Sequence, residues 1–201
     1  MDAQLEYTVK YIFICACLAV SLVSYRFCFS KRDCKFLIAG MFFTAVSDYF
    51  LVLRDMDYTG YYIFFLAHAA YILRVSGDTR RSVKIMAAVV VCTAPLYFII
   101  DRFIATAIVY GCFFIYNVAA NMRAFGKKTC AIPKINRSII MTGLILFLLC
   151  DVCIAFFNSY RYFKIPKETT DLAYPVFWFF YISSQFFLSV SGFDYAKLKK
   201  T

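Results

Sequence analysis

Residues 139–157 read IIMTGLILFLLCDVCIAFF, an apolar run interrupted by a single charge, Asp151. A helix of about 20 such residues rises about 30 Å, the thickness of a bilayer's hydrocarbon core, so lipid is the solvent this stretch calls for. Working outward, six more apolar segments separate at polar punctuation: Thr8–Phe29, Phe36–Leu53, Tyr58–Val75, Val83–Ile100, Phe103–Met122 and Tyr174–Gly192. The pattern predicts an all-α, polytopic transmembrane helix bundle of about seven spans, in one membrane domain over residues 1–201. Pro95 is expected to kink the fourth span, and Pro175 fits the start of the seventh. Only Asp101 and Arg102 divide the fourth span from the fifth, which leaves a long buried hairpin as the other parse there.

Composition agrees with a lipid solvent. Of 201 residues, 63% are hydrophobic and 20% aromatic, and the mean hydropathy is +0.70, more apolar surface than a soluble domain of this length could bury. The 22 Lys+Arg against 12 Asp+Glu give a net charge of +10, which in a soluble protein would suggest a nucleic-acid partner. Here the cations alternate along the chain. The connections after the first, third and fifth spans and the final tail hold four, four, five and three Lys+Arg, whereas the opposite side holds none, one, one and three. Cytoplasmic connections are enriched in Lys and Arg, so the amino terminus is expected outside and the carboxyl terminus in the cytoplasm, with the bilayer and no nucleic acid as partner.

The first run follows Asp2 and Glu6 rather than a basic segment and lacks a small-residue cleavage site, so it reads as a retained span. Nine cysteines, an odd number lying mostly in apolar runs, imply no disulfide framework. The closing KLKKT, with Lys197 and Lys199 fifth and third from the end, resembles a dilysine endoplasmic-reticulum retrieval signal if the host is a eukaryote. In a bacterium the same chain would belong in the cytoplasmic membrane.

Ten of the twelve acids fall in loops or tails on this parse. The other two, Asp48 and Asp151, fall inside spans, where a central Asp costs roughly 3 kcal/mol on insertion scales. Both lie roughly two-thirds of the way toward the outer face, at depths where they could meet. Three polar stripes accompany them: Tyr61, His68 and Tyr71 on the third span, Tyr110, Asn117 and Asn121 on the fifth, and Tyr181, Gln185 and Ser189 on the seventh. Lipid cannot satisfy these groups, so they should face the bundle interior. Taken singly, such residues read as interhelical glue worth about 0.6 kcal/mol each. Two intramembrane carboxyls at matched depth point instead to a functional site. Cys150 and Cys153 flank Asp151, and His68 could add a third metal ligand, but a helical C-x-x-C lacks the tight turn of a zinc site and reads as packing.

The same residues, in order, resemble the YhhN family of membrane proteins, whose characterised members are lysoplasmalogenases. The family's S-x-x-G-D helix is similar to FFTAVSDYFLVL, with Asp48 at the acid, and its H-x-x-Y helix to FFLAHAAYI, with His68 and Tyr71. A Y-x5-M helix is matched by Tyr116 to Met122, a G-x3-F-x-x-S-D helix by Gly143, Phe147 and Asp151, and a closing Y-x3-Q by Tyr181 and Gln185. Thr44 and Ser47 replace the family's Ser and Gly before the first acid, and Cys150 replaces the Ser before the second. The resemblance spans roughly Phe36 to Ser191. The family usually has eight spans, one more than this chain, the missing one lying before the Asp48 helix.

The resemblance implies a hydrolase that cleaves the vinyl ether bond of lysoplasmalogen, a lysophospholipid, to a fatty aldehyde and a glycerophospho-alcohol, with no metal or organic cofactor. Asp48 and Asp151 would then be the catalytic pair, and His68, Tyr71, Tyr116, Asn117, Tyr181 and Gln185 would position water or substrate. Two neighbouring carboxyls in an apolar interior do not both ionise cheaply, so one would hold a proton and the other remain charged, giving an acid and a base together. The alternative is a proton-coupled membrane transporter or channel using the same Asp pair and His68 as a relay. A seven-helix receptor or light sensor ranks below both, because the last span contains no Lys for a retinal Schiff base and the D-R-Y and N-P-x-x-Y signatures are missing.

Overall fold

The computed structural model describes residues 3–54, 58–126, 131–158, 163 and 165–198. Among the described residues ten α-helices follow in order: α1 Ala3–Ser24, α2 Lys31–Asp48, α3 Tyr58–Val75, α4 Thr79–Thr93, α5 Leu96–Ile99, α6 Arg102–Gly126, α7 Lys134–Asn158, α8 Lys167–Asp171, α9 Ala173–Val190 and α10 Tyr195–Leu198. A π-helical turn, Tyr49–Leu53, continues α2. The described residues form no strand, only an isolated bridge between Cys28 and Phe193. All seven expected segments are helical. Five of them, α1, α2 with its π turn, α4 with α5, α6 and α7, are long and apolar enough to cross a membrane. The other two, α3 and α9, carry the His68 and Gln185 stripes.

Boundaries moved where local chemistry overrode hydropathy. α1 begins before the predicted Thr8 because Glu6 pairs with Lys10 one turn on, and it stops at Ser24 rather than Phe29. The residues after it turn and meet the far end of the chain, where Asp194 N–H donates to Phe27 O at 2.8 Å. α2 starts five residues before the predicted Phe36 because Ser30 caps it, accepting from Asp33 N–H. Asp78 likewise caps α4, accepting from Arg81 N–H at 3.0 Å. Pro95 breaks the fourth span into α4 and α5 as expected, because its ring and missing N–H cannot continue the ladder. Extended backbone at Ile100 then turns the chain into α6.

Polarity is inverted relative to a soluble protein. Phe98, Ile99, Ile115 and Phe179 lie on the surface, while Thr44, Ser47, His68, Asn117, Ser184, Gln185 and Ser189 are fully buried. This is the arrangement a lipid solvent requires, and the protein is a membrane-embedded helical bundle. The tightest pairings are α7 with α9 and α2 with α3. Glycine permits each: a Cβ at Gly143 of α7 would come within 2.9 Å of Leu188 on α9, and one at Gly40 of α2 within 2.5 Å of the Tyr71 ring on α3.

Side-chain contacts gather the carboxyl ends of α1, α3, α6 and α9 with the amino ends of α2, α4 and α7. The connections rich in Lys and Arg therefore share one end of the bundle. Asp33, expected in a loop, and Arg74, counted with the cations of the connection after the third span, are instead 5% and 4% exposed and form a two-pronged ion pair. Arg74 Nε donates to Asp33 Oδ1 at 2.9 Å and Nη2 to Oδ2 at 2.8 Å, and Nη1 donates to Ser191 Oγ at 2.7 Å. Asn136 Nδ2 donates to the carbonyls of Ser191 and Phe193. At the opposite end the Lys10 ammonium lies 4.6 Å from the Tyr174 ring centre and 4.2 Å from that of Trp178, tying α1 to α9. Among the expected cytoplasmic cations, Lys127, Lys128, Lys199 and Lys200 lie outside the described residues, as do Arg161 and Lys164 on the other side.

Candidate functional site

Asp48 is the last residue of α2 before the π turn, and such turns inside helices recur at functional sites because they re-aim side chains. Its carboxyl is buried and accepts from the Tyr181 hydroxyl of α9, Oη to Oδ2 2.5 Å. Asp151, on α7, accepts from the Tyr110 hydroxyl of α6 at 2.9 Å. The two acids therefore do not bond to one another; each is held by its own tyrosine. Cys150, fully buried, is an electrostatic neighbour of both carboxyls.

Between the tyrosines lies an aromatic layer with His68 in it. The imidazole is edge-on to Tyr110 at 5.1 Å between ring centres and to Phe114 at 5.3 Å, and it stacks on Phe147 at 5.6 Å. Phe147 in turn meets Tyr181 edge-on at 5.8 Å. His68 thus touches Tyr110 of one tyrosine–carboxyl pair directly, and the single ring of Phe147 separates it from Tyr181 of the other. Asparagines behind it set its tautomer. Asn121 Nδ2 donates to Asn117 Oδ1 at 2.9 Å, which leaves Asn117 Nδ2 to donate to His68 Nδ1 at 3.2 Å. Nδ1 is an acceptor in this arrangement, so the proton sits on Nε2. That Nε2 is buried without a hydrogen-bond partner, and so is the Gln185 Oε1 on α9, one turn beyond Tyr181. Thr44 Oγ1, Asn158 Oδ1 and Trp178 Nε1 are also buried without a partner. A donor and an acceptor left open on the His68 and Gln185 stripes are what a bound polar group would use.

The expected residues divide accordingly. Asp48, Asp151, His68, Asn117 and Tyr181 belong to this cluster, with Gln185 on the inward face of α9. Tyr71 is buried but lies below it against Gly40, its hydroxyl donating to Met41 Sδ at 3.1 Å. Tyr116 stands apart. Its side chain leaves the stripe one residue before Asn117 and points toward α4, where its hydroxyl donates to Ser82 Oγ at 3.2 Å. Tyr110 is the site residue that the motif comparison passed over; its spacing of seven from Asn117 on an inward stripe is the signal that marks it. Among the described residues, no three His, Cys, Asp or Glu side chains gather as a ligand set. Of the departures from the family pattern, Ser47 is accommodated, its hydroxyl donating to Gly60 O at 2.6 Å across the α2–α3 contact, whereas Thr44 Oγ1 is buried without a partner.

The YhhN family model matches residues 5–192, well beyond the stretch that the motifs alone covered and including α1. The chain belongs to the YhhN family. No curated protein and no solved structure gives a match. Family membership covers the whole helical bundle, so the Asp48, His68 and Asp151 helices are read as one YhhN core and not as a graft on another fold.

Proposed function

We propose that this YhhN protein hydrolyses the vinyl ether bond of a lysoplasmalogen, with Asp48 and Asp151 as its acid and base. The observation that carries the reading is the pair of intramembrane carboxyls on α2 and α7, each gripped by a tyrosine hydroxyl and joined through the aromatic layer that holds His68. Vinyl ether cleavage needs a proton delivered to the β carbon, which leaves an oxocarbenium ion. Water then adds to the carbon bearing oxygen and loses a proton to a base, and the hemiacetal collapses to an aldehyde and a free glycerol hydroxyl. One proton is given and one returned, so a carboxylic acid and a carboxylate suffice.

The surroundings suit the partners of that reaction. A carboxylate close to the oxocarbenium ion stabilises its positive charge, and an apolar interior strengthens that attraction. The open His68 Nε2–H can donate to the ether or a glycerol oxygen, and Gln185 Oε1 can accept from a glycerol hydroxyl or the attacking water. The rings of Phe114 and Phe147 around His68 offer apolar contact to an alkenyl chain.

The test is aldehyde release from a lysoplasmalogen by the purified protein in detergent, beside Asp48→Asn, Asp151→Asn and an ester lysophospholipid control. The expected result is aldehyde from the wild type only, with none from the ester. Folded wild-type protein that yields no aldehyde would overturn the reading, and proton flux into liposomes would then examine the transporter alternative.

A further inference from the structure

A cavity of about 530 Å³ opens at the Lys/Arg-rich end of the bundle, among the ends of α3, α4 and α6. Along α6, Tyr110 of the carboxyl cluster and Arg123 of this cavity are separated by roughly 20 Å of helical rise. A lysophospholipid's phosphate lies only a few bonds from its vinyl ether, so one substrate molecule cannot occupy both places.

The lining is built for an anion. Arg32, Arg81 and Arg123 reach it from three different elements, and Asp78 is the one carboxylate among its described lining residues. That carboxylate is occupied in capping α4. Arg74 also borders the cavity but is committed to Asp33. Arg32 is fixed in place: its Nη2 donates to Ser76 O at 3.2 Å and to Thr79 Oγ1 at 3.3 Å. No ion pair is recorded for Arg32, Arg81 or Arg123 among the described residues. On the inner wall a hydroxyl cluster is assembled, with Ser76 Oγ 2.7 Å from the buried Ser82 Oγ and the Tyr116 hydroxyl 3.2 Å from it. Val75, Ile85 and Ile132 supply an apolar flank.

We infer that this cavity is a second binding site, for a net-negative phosphate ester. Guanidinium groups fit phosphate oxygens with paired donors, the hydroxyls add neutral donors, and basic pockets between transmembrane helices suit lipid head groups. The phosphate comes from an anionic phospholipid of the adjoining leaflet or from a small soluble phosphate. The site is independent of the chemistry at Asp48 and Asp151, and it gives Tyr116 a place outside that cluster.

The experiment uses the full chain in a neutral detergent and measures binding of phosphatidylglycerol, phosphatidylcholine and inorganic phosphate by native mass spectrometry and thermal unfolding. Wild type is compared with the double variant Arg81→Gln, Arg123→Gln, both exposed positions. Phosphatidylglycerol binding that the double variant weakens about tenfold or more supports the site with a lipid source. The same loss seen with inorganic phosphate supports it with a soluble source. Equal binding by wild type and variant, equal binding of phosphatidylcholine and phosphatidylglycerol, or no phosphate-bearing ligand bound at all would overturn it.

Discussion

Two buried polar clusters in this bundle have opposite characters. At the Lys/Arg-rich end, Arg74 meets Asp33 with two parallel hydrogen bonds, and two more of its donors go to Ser191. In the middle, Asp48 and Asp151 each receive one tyrosine hydroxyl, and His68 Nε2 and Gln185 Oε1 have no partner at all. Both clusters cost desolvation. The first recovers it through internal pairing and so fixes the ends of α2, α3 and α9 together; the second leaves capacity that a bound molecule can use.

Substitution should separate the two clusters sharply. The largest expected effect is on turnover: Asp48→Asn or Asp151→Asn should lower aldehyde release by about 10²-fold or more while leaving the unfolding temperature near wild type. Loss of folding in parallel with activity would place the carboxyls with the structural cluster. Arg74→Ala should do the reverse. It strands Asp33 in the interior and should cost about 3–5 kcal/mol of stability, measured by thermal unfolding in detergent, whereas the paired replacement Arg74→Met, Asp33→Leu should recover most of it. If Arg74→Ala unfolds no earlier than wild type, the ion pair is not what ties these ends together.

Removing a single tyrosine hydroxyl sharpens the comparison. Tyr181→Phe and Tyr110→Phe each delete the donor to one carboxyl, and each should cost about 1 kcal/mol of stability and about tenfold in turnover. Unequal effects on the pH profile of the two variants would tell the acid from the base. The smallest effect is expected at Ser47→Gly, which restores the family residue. It loses the bond to Gly60 O and should change stability by about 1 kcal/mol or less, read as a small shift in unfolding temperature with aldehyde release retained.

The three inward stripes were legible because period and polarity act locally. His68, Asn117, Asn121, Gln185 and Ser189 each follow a spacing of three, four or seven within one helix, and all of them are buried. Tyr116 shows the weakness of motif position alone: it is one residue off its stripe, about 100° around the helix, and its hydroxyl goes to α4. Asp33 was placed in a loop, and Arg74 with the cations of a connection, because a hydropathy boundary treats every charge as an exit from the membrane. It cannot register that two opposite charges forty-one positions apart will neutralise one another.

Hydropathy along the chain determined by itself that this is a helical membrane protein and which polar stripes must turn inward, because a lipid solvent penalises every unsatisfied polar group wherever the chain goes. Which tyrosine holds which carboxyl, the tautomer of His68, the π turn after Asp48 and the closed Arg74–Asp33 pair were decided only when the helices packed. Those features depend on distances between residues remote in sequence, which no local periodicity encodes.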